Sequence, residues 1–255
     1  LTNNHIWAEM YDDLHDNIYD IQDDIIEQIV SRTSREILRI ETHRSLSRNS
    51  PNIRAYHHLL RGLHYHRSNN GQDPTNSKAI RELEQAVALD PEFARGHAWL
   101  LCAKFVTWNA FTDKRMQDDL AYIKSALAMN ENDPDIQRIV GTIYFDMNNF
   151  TQAIYHYDMA MRLSPNDTDI IIKTATFKAF CDQPEQAEDL IKRVLRLNPR
   201  HPNWYWQEMG TIQYCLNNFQ QAIDAFSKNT TPNERTYAFM AACYTATNQP
   251  KQAKT

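Results

Sequence analysis

A seven-residue pattern, Asn-Asn-Phe-x-Gln-Ala-Ile, occurs twice in the chain, beginning at Asn148 and again at Asn217. The separation corresponds to roughly two units of about 34 residues, and a matching turn at Pro184 lies near the midpoint. This period is typical of helical hairpins that stack on one another, because a single hairpin cannot bury its apolar face alone. The sequence therefore predicts an array of hairpins rather than one globular core.

Composition narrows the function as well as the fold. The chain has only five glycines in 255 residues, and sheet-rich folds and nucleotide-binding loops usually need more. The formal net charge of −5 argues against general nucleic-acid binding, since no overall field would gather phosphate. No apolar run approaches the roughly 20 residues that a membrane span requires. We expect a soluble cytoplasmic protein with free thiols, and a fragment, because it begins at Leu1 without a signal pattern.

One unit shows the repeat most completely, from Pro134 to Asp167. Counted from Pro134, the positions at which two helices must approach closely carry small residues: Gly141 at position 8, Ala153 at 20 and Ala160 at 27. Large side chains fill the space between hairpins at positions 7, 11 and 24, which are Val140, Tyr144 and Tyr157. Pro165 at position 32 ends the second helix, because proline cannot donate the i→i−4 hydrogen bond.

These residues match the tetratricopeptide repeat (TPR) motif, and the chain resembles that family. The resemblance implies an all-α fold, a right-handed α-α superhelix of stacked helical hairpins with an N-terminal helical arm. The same positions recur upstream and downstream of the complete unit, with longer loops in the first two hairpins. We expect residues 1–50 to form the arm and residues 51–255 to form a TPR domain of five full repeats and one truncated repeat.

The expected arm separates its charges. Residues 1–28 carry eight acidic residues and no Lys or Arg, whereas arginines recur from Arg32 to Arg54. The basic part could contact nucleic acid or anionic lipid, but a solvated helix face partly neutralised by the acidic part explains it better. The segment around Trp7, Tyr11 and Ile21 also resembles the junction that precedes TPR arrays in bacterial regulators with a TolB-like domain and a class III nucleotide cyclase or winged-helix output. That resemblance implies the regulatory part of a larger signalling protein.

Catalytic and metal-binding patterns are weak. His57 and His64 share a helix face, but no neighbouring carboxylate completes a tetrahedral ligand set. Adjacent aspartates, as at Asp23 and Asp24, point about 100° apart on a helix, so a solvated face accounts for them. The chain has no phosphate-binding glycine loop, no G-x-S-x-G and no HExxH. We therefore predict a protein that is not an enzyme and has no cofactor and no metal.

The resemblance implies a concave groove formed by the first helix of each hairpin, with positions 2, 5, 9, 12 and 13 facing it. The candidate partner-binding residues are Phe105, Arg138, Thr142, Phe145, Asp146, Ile172, Thr176, Phe180, Trp204, Gln207, Thr211 and Tyr214. The Lys and Asn that clamp a peptide carboxylate in some relatives are missing at positions 5 and 9, so we reject that mode. We expect a protein or peptide partner, bound as an amphipathic helix or an extended apolar segment on aromatic anchors such as Trp204.

Two alternatives remain open at this point. Several of the aromatic candidates, Phe105 and Phe180 above all, could pack between neighbouring hairpins instead of contacting a partner. The chain could also act as a homodimerisation element or structural scaffold that holds output domains together, or its groove could be filled by a segment of the same protein.

Overall fold

The computed structural model describes residues 51–67, 76–105, 113–181, 183–249, 251 and 253, and the predicted N-terminal arm lies outside them. All regular structure in these ranges is helical, which confirms the all-α prediction. The α-helices are α1 (Pro51–Arg67), α2 (Ser77–Leu89), α3 (Ala94–Phe105), α4 (Asp113–Met129), α5 (Pro134–Asp146), α6 (Phe150–Leu163), α7 (Thr168–Phe180), α8 (Pro184–Leu197), α9 (Tyr205–Cys215), α10 (Phe219–Lys228) and α11 (Glu234–Ala246).

Consecutive helices from α1 to α10 pair into five hairpins, and α11 packs against the last of them. We number the hairpins 1 to 5 in chain order. The first helices of successive hairpins contact one another, from α1 through α3, α5, α7 and α9 to α11, and form one continuous layer. Each second helix also contacts the first helix of the next hairpin, so apolar surface is buried continuously along the array.

The repeated Asn-Asn pair lies at the turn within a hairpin. Asn148 and Asn217 have φ values of 57° and 59°, in the left-handed region that asparagine tolerates better than most residues. The second asparagine precedes the next helix, and the Asn149 side chain accepts a hydrogen bond from the backbone N–H of Gln152. The pattern therefore specifies a tight turn and the start of a second helix. Asn248 takes the same conformation after α11, with φ of 60°.

Close approach within a hairpin depends on a small residue at position 8. A Cβ added at Gly141 would lie 3.2 Å from the ring of Tyr157, and one at Gly210 would lie 2.5 Å from the ring of Phe226. In hairpin 4 the same place holds Ala175, opposite the smaller Ile191. A larger residue at position 8 is thus matched by a smaller one on the second helix, and the two helices stay in contact.

Aspartates begin two of the groove-lining helices. The Asp133 carboxylate accepts the backbone N–H groups of Asp135 and Ile136 at the start of α5. Asp167 accepts the N–H groups of Asp169 and Ile170 at the start of α7 in the same way. These caps fix the first turns that carry Asp135 and Asp169 towards the concave side. Of the helices described, none is both long and apolar enough to cross a membrane.

Candidate functional site in the concave groove

A cavity of about 310 Å³ lies in the concave groove. Its walls come from the first helices of all five hairpins, α1, α3, α5, α7 and α9, and from the loop residues Asn229, Thr231 and Asn233. Its two large aromatic side chains are Trp99 on α3 and Trp204 just before α9. A volume of this size is in the range of small-molecule and side-chain pockets.

Trp99 organises one wall of the cavity. Its indole N–H donates to Asp135 Oδ2 at 3.0 Å, which ties α3 to α5. The guanidinium carbons of Arg67 and Arg138 lie 5.4 Å and 5.1 Å from the centre of its ring. Such contacts favour a cation most where water is excluded, so Trp99 helps to hold two positive charges close together. Trp99 itself is only 3% exposed.

An ion pair crosses the groove from hairpin 1 to hairpin 4. Arg67 Nη2 at the end of α1 lies 2.8 Å from Asp169 Oδ2 at the start of α7. Asp169 also accepts a hydrogen bond from the hydroxyl of Tyr205, with 2.5 Å between the oxygens. Burial opposes the charge on Arg67, but Asp169 and the neighbouring carboxylates raise the pKa of its guanidinium above the usual value. The pair therefore stays charged and closes one side of the cavity.

A second ion pair joins hairpins 4 and 5. Lys173 Nζ lies 2.5 Å from Glu208 Oε1, and the Thr176 hydroxyl donates to Glu208 Oε2 at 2.7 Å. Burial alone would raise the pKa of Glu208, but the ammonium of Lys173 and these hydrogen bonds lower it below its ordinary value. The same ammonium lies 5.3 Å from the ring centre of Trp204. The charges of Lys173 and Glu208 therefore compensate each other.

Arg138 is a third cation at the cavity, and neither of these ion pairs includes it. Only 5% of the residue is exposed, and in the described part of the chain it forms no ion pair and its Nε has no hydrogen-bond partner. Burial disfavours its charge, but the thiolate form of Cys102 and the carboxylate of Asp135 raise the pKa of the guanidinium. Gln207 also has a buried donor, Nε2, without a partner among the described residues, while its Oε1 accepts from Thr236. Arg67 Nε is also buried without a hydrogen-bond partner among the described residues, so three unused donors lie at the cavity.

The predicted groove residues divide into three groups. Three of them line the cavity: Arg138, Trp204 and Gln207. Four polar ones do not line it: Thr142, Asp146, Thr176 and Thr211. Thr142 is hydrogen-bonded to Tyr157 and Thr176 to Glu208, which joins neighbouring helices, whereas Thr211 is 2% exposed and donates to the carbonyl of Gln207 in its own helix. Burial raises the pKa of the Asp146 carboxyl to about 6, against the opposing charges of Arg235 and Lys173.

The remaining predicted groove residues are apolar. Phe145 packs against Phe177 and Phe180, with ring centres 5.5 Å and 5.6 Å apart, although Phe180 keeps 40% of its surface exposed. Tyr214 packs against Phe239 at 4.9 Å, so it belongs to the contact between α9 and α11. The side chain of Phe105 lies outside the described residues.

Ile172 is placed differently from the groove position expected for it. It is fully buried in the core shared by α7, α8 and α9, and it has no surface to offer a partner. The physical reason is that close packing of α9 on α7 covers this side chain. The neighbouring Lys173 reaches the cavity instead.

Comparison with solved structures identifies the architecture. A chain of the APC/C hetero-tetramer Cut9-Hcn1 superposes with a TM-score of 0.58 and 14% identity, covering 89% of this chain and 42% of that one. A thermophilic TPR protein of Thermus thermophilus superposes with a TM-score of 0.54 and 13% identity, covering 76% of this chain and 99% of that one. The chain has the TPR fold. This confirms the resemblance drawn from the repeat positions.

Sequence comparison adds two distant relatives of this TPR chain. A putative adenylate cyclase 3 of Rhizobium meliloti (strain 1021) is 27% identical over 137 residues, which are 52% of this chain and 23% of that protein. Anaphase-promoting complex subunit 7 of Mus musculus is 30% identical over 97 residues, 38% of this chain and 16% of that protein. The chain thus spans less than a quarter of the curated relatives it matches. No protein-family model matches it.

Several cavity residues of this TPR array were missed by sequence reasoning. Three of them lie at groove positions that the repeat rule already names. Hairpin 1 has His66 at position 12 and Arg67 at position 13, and hairpin 2 has Cys102 at position 9. They would have been found if the rule had been extended to the irregular hairpins. Position 6 was absent from the rule, yet it supplies Lys173 and Glu208 as well as Trp99.

Proposed function

We propose that this TPR array is a non-enzymatic interaction module that binds a segment of a partner protein in its concave groove. The observation that carries the proposal is the groove cavity, which combines two tryptophans with Arg138, a buried cation lacking a carboxylate partner among the described residues. Buried aromatic and arginine side chains are the groups that most often dominate protein interfaces. The similar fold in the Cut9-Hcn1 hetero-tetramer supports a protein partner.

Of the two bound forms expected from the sequence, the extended segment suits the cavity better. An α-helix with its side chains is about 10–12 Å wide and needs a groove that is open along its length. The ion pair between Arg67 and Asp169 bridges the side of the cavity. One or two side chains of an extended segment would fit this space, with an apolar group against Trp204.

The context we propose is the regulatory part of a larger bacterial signalling protein. Two observations support it: the resemblance of the segment around Trp7 to the junction before TPR arrays in bacterial regulators, and the similarity to a putative adenylate cyclase. Under this proposal the output activity belongs to another part of the protein, and the TPR array supplies recognition.

The decisive experiment compares two tryptophans that are two residues apart. A library of random peptides would be selected on residues 1–255, and the enriched peptides would be measured by isothermal titration calorimetry against Trp204→Ala and Trp206→Ala. Trp204 lines the cavity, whereas Trp206 contacts His201 and Lys228 away from it. We expect Trp204→Ala to weaken binding by at least about tenfold, in the range of interface hot spots.

Trp206→Ala is the matched control and should retain binding. Circular dichroism must show that both variants keep the helical content of the parent. Peptides that bind Trp204→Ala as tightly as the parent would contradict binding in this groove.

A scaffold function is the second candidate, and the surface of α11 favours it. Tyr237 on this helix is 58% exposed, and the neighbouring Met240 and Phe239 are only partly buried. Under this hypothesis two copies associate through their last helices or through residues 1–50. Light scattering coupled to gel filtration on residues 1–255 and on a chain without residues 1–50 would decide. A stable dimer of the first chain supports the scaffold, and monomers at every concentration contradict it.

A further inference from the structure

Cys102 lies in an arrangement that the proposed interaction function does not use. Its Sγ is 3.9 Å from His66 Nε2, and both residues line the groove cavity. The other ring nitrogen, His66 Nδ1, lies 2.8 Å from the amide nitrogen of Asn76, which also donates to the carbonyl of Ala103. An amide nitrogen only donates, so His66 Nδ1 accepts and the proton of the neutral ring lies on Nε2. His66 therefore presents an N–H to the sulfur.

The charges around the sulfur stabilise its anion. Burial alone would raise the pKa of the Cys102 thiol, but the hydrogen bond and electrostatic interaction with His66, together with the positive charge of Arg138, lower it to about 6. The other half-buried cysteines differ, because burial raises the thiol pKa of Cys181 and of Cys215. The thiolate is the nucleophilic form of cysteine. Cys102 is thus set apart from the other thiols by its surroundings rather than by its exposure.

Arg138 indicates which reagent the cavity would accept. It is only 5% exposed and lines the same cavity, and its Nε has no hydrogen-bond partner among the described residues. Arg67 and Lys173 are paired with Asp169 and Glu208, whereas Arg138 has no carboxylate partner among the described residues and can hold an incoming anion beside the sulfur. A guanidinium binds a carboxylate with particular strength in a water-poor site. A small molecule with a carboxylate near its reactive atom fits this arrangement.

We propose that Cys102 is a site of reversible thiol modification by small disulfides that carry carboxylates, with Arg138 holding a carboxylate while the sulfur reacts. The Cys102 thiolate attacks one sulfur of the disulfide, a new bond forms between Sγ and that sulfur, and the original S–S bond breaks. The second half of the disulfide leaves as a thiolate and takes a proton from water. Cys102 is oxidised to a mixed disulfide, and the leaving half is reduced.

The first test uses the unmodified chain and its own cysteines as controls. The rate of alkylation by iodoacetamide would be followed at each cysteine by peptide mass spectrometry between pH 5 and pH 9. An ordinary thiol gains more than about tenfold in rate between pH 7 and pH 9, because its thiolate is still forming. We expect that gain at Cys181 and Cys215 and less than about twofold at Cys102. In urea all the cysteines should follow the ordinary profile.

The second test separates the role of Arg138 from that of the thiolate. Dithiobis(nitrobenzoate) carries carboxylates, whereas dithiodipyridine is an aromatic disulfide without them. We expect the rate ratio of the charged to the neutral reagent to be about tenfold higher at Cys102 than at Cys215 in the same chain. In Arg138→Gln that preference should disappear, even if both rates fall.

The outcomes distinguish the two halves of the proposal. A rate at Cys102 that rises with pH as steeply as the rate at Cys215 would overturn the stabilised thiolate. An equal preference for the two reagents at Cys102 and Cys215 in the unmodified chain would overturn the anion-holding role of Arg138. His66→Phe keeps a ring beside Trp99 and should shift the profile of Cys102 upward; an unchanged profile would contradict the hydrogen bond to sulfur.

Discussion

At the scale of single residues, the repeated Asn-Asn pair is explained by backbone geometry. Asn148 and Asn217 each hold a positive φ at the turn between two helices. The turn is closed by backbone hydrogen bonds such as that from Asn149 N–H to Tyr144 O, at 2.8 Å. The left-handed conformation costs conformational energy for residues branched at Cβ, whereas glycine adopts it at little cost. The first asparagine is thus selected by conformation, and the second begins the following helix.

Substitution at Asn148 tests this explanation. Asn148→Val should lower the free energy of unfolding by about 1–2 kcal/mol, because valine resists the left-handed region. Asn148→Gly should change it by less than about 0.5 kcal/mol, since glycine adopts this conformation readily. Urea denaturation followed by circular dichroism measures both. Equal losses for the two variants would show that the asparagine side chain, rather than φ, matters.

At the scale of helices, hairpins 1, 3, 4 and 5 balance the volumes at positions 8 and 24, whereas hairpin 2 has Leu101 at position 8. Glycine faces leucine, tyrosine and phenylalanine in hairpins 1, 3 and 5, whereas alanine faces Ile191 in hairpin 4. The small residue lets the two helices approach, and the large one fills the space that the approach leaves. The repeat positions predicted these pairs because the relation is local to one hairpin.

Hairpin 5 offers the sharpest test of that balance. Gly210→Ala would place a Cβ 2.5 Å from two ring carbons of Phe226, so the helices must separate. We expect a loss of about 1–3 kcal/mol in the free energy of unfolding, as for other overpacked cores. Adding Phe226→Ile reproduces the pair found in hairpin 4 and should recover part of the loss. Differential scanning calorimetry measures the stability of both variants. A Gly210→Ala protein as stable as the parent would refute the close approach of the two helices.

At the scale of the whole molecule, the superhelix brings hairpins 1 and 4 into contact across the groove. The ion pair between Arg67 and Asp169 joins residues that lie three hairpins apart in sequence. Both side chains are partly exposed, so the pair contributes little to stability and mainly fixes the opening of the groove.

Arg67→Ala should therefore change shape more than stability. We expect the radius of gyration from small-angle X-ray scattering to increase, with a loss of no more than about 1 kcal/mol in the free energy of unfolding. Arg61→Ala is the matched control, because Arg61 pairs with Glu82 inside hairpin 1. An equal radius for both variants would mean that the cross-groove pair does not set the curvature.

The sequence by itself determined the hairpins, their turns and the small-to-large pairs, since each depends on residues within one repeat. It also indicated Arg138, Trp204 and Gln207 for the groove, because repeat position fixes which side of a helix faces inward. Only the tertiary structure decided that Ile172 is covered and that Arg67 meets Asp169 at the cavity that Cys102 also lines. Those contacts depend on small rotations that accumulate from hairpin to hairpin, and no local pattern encodes their sum.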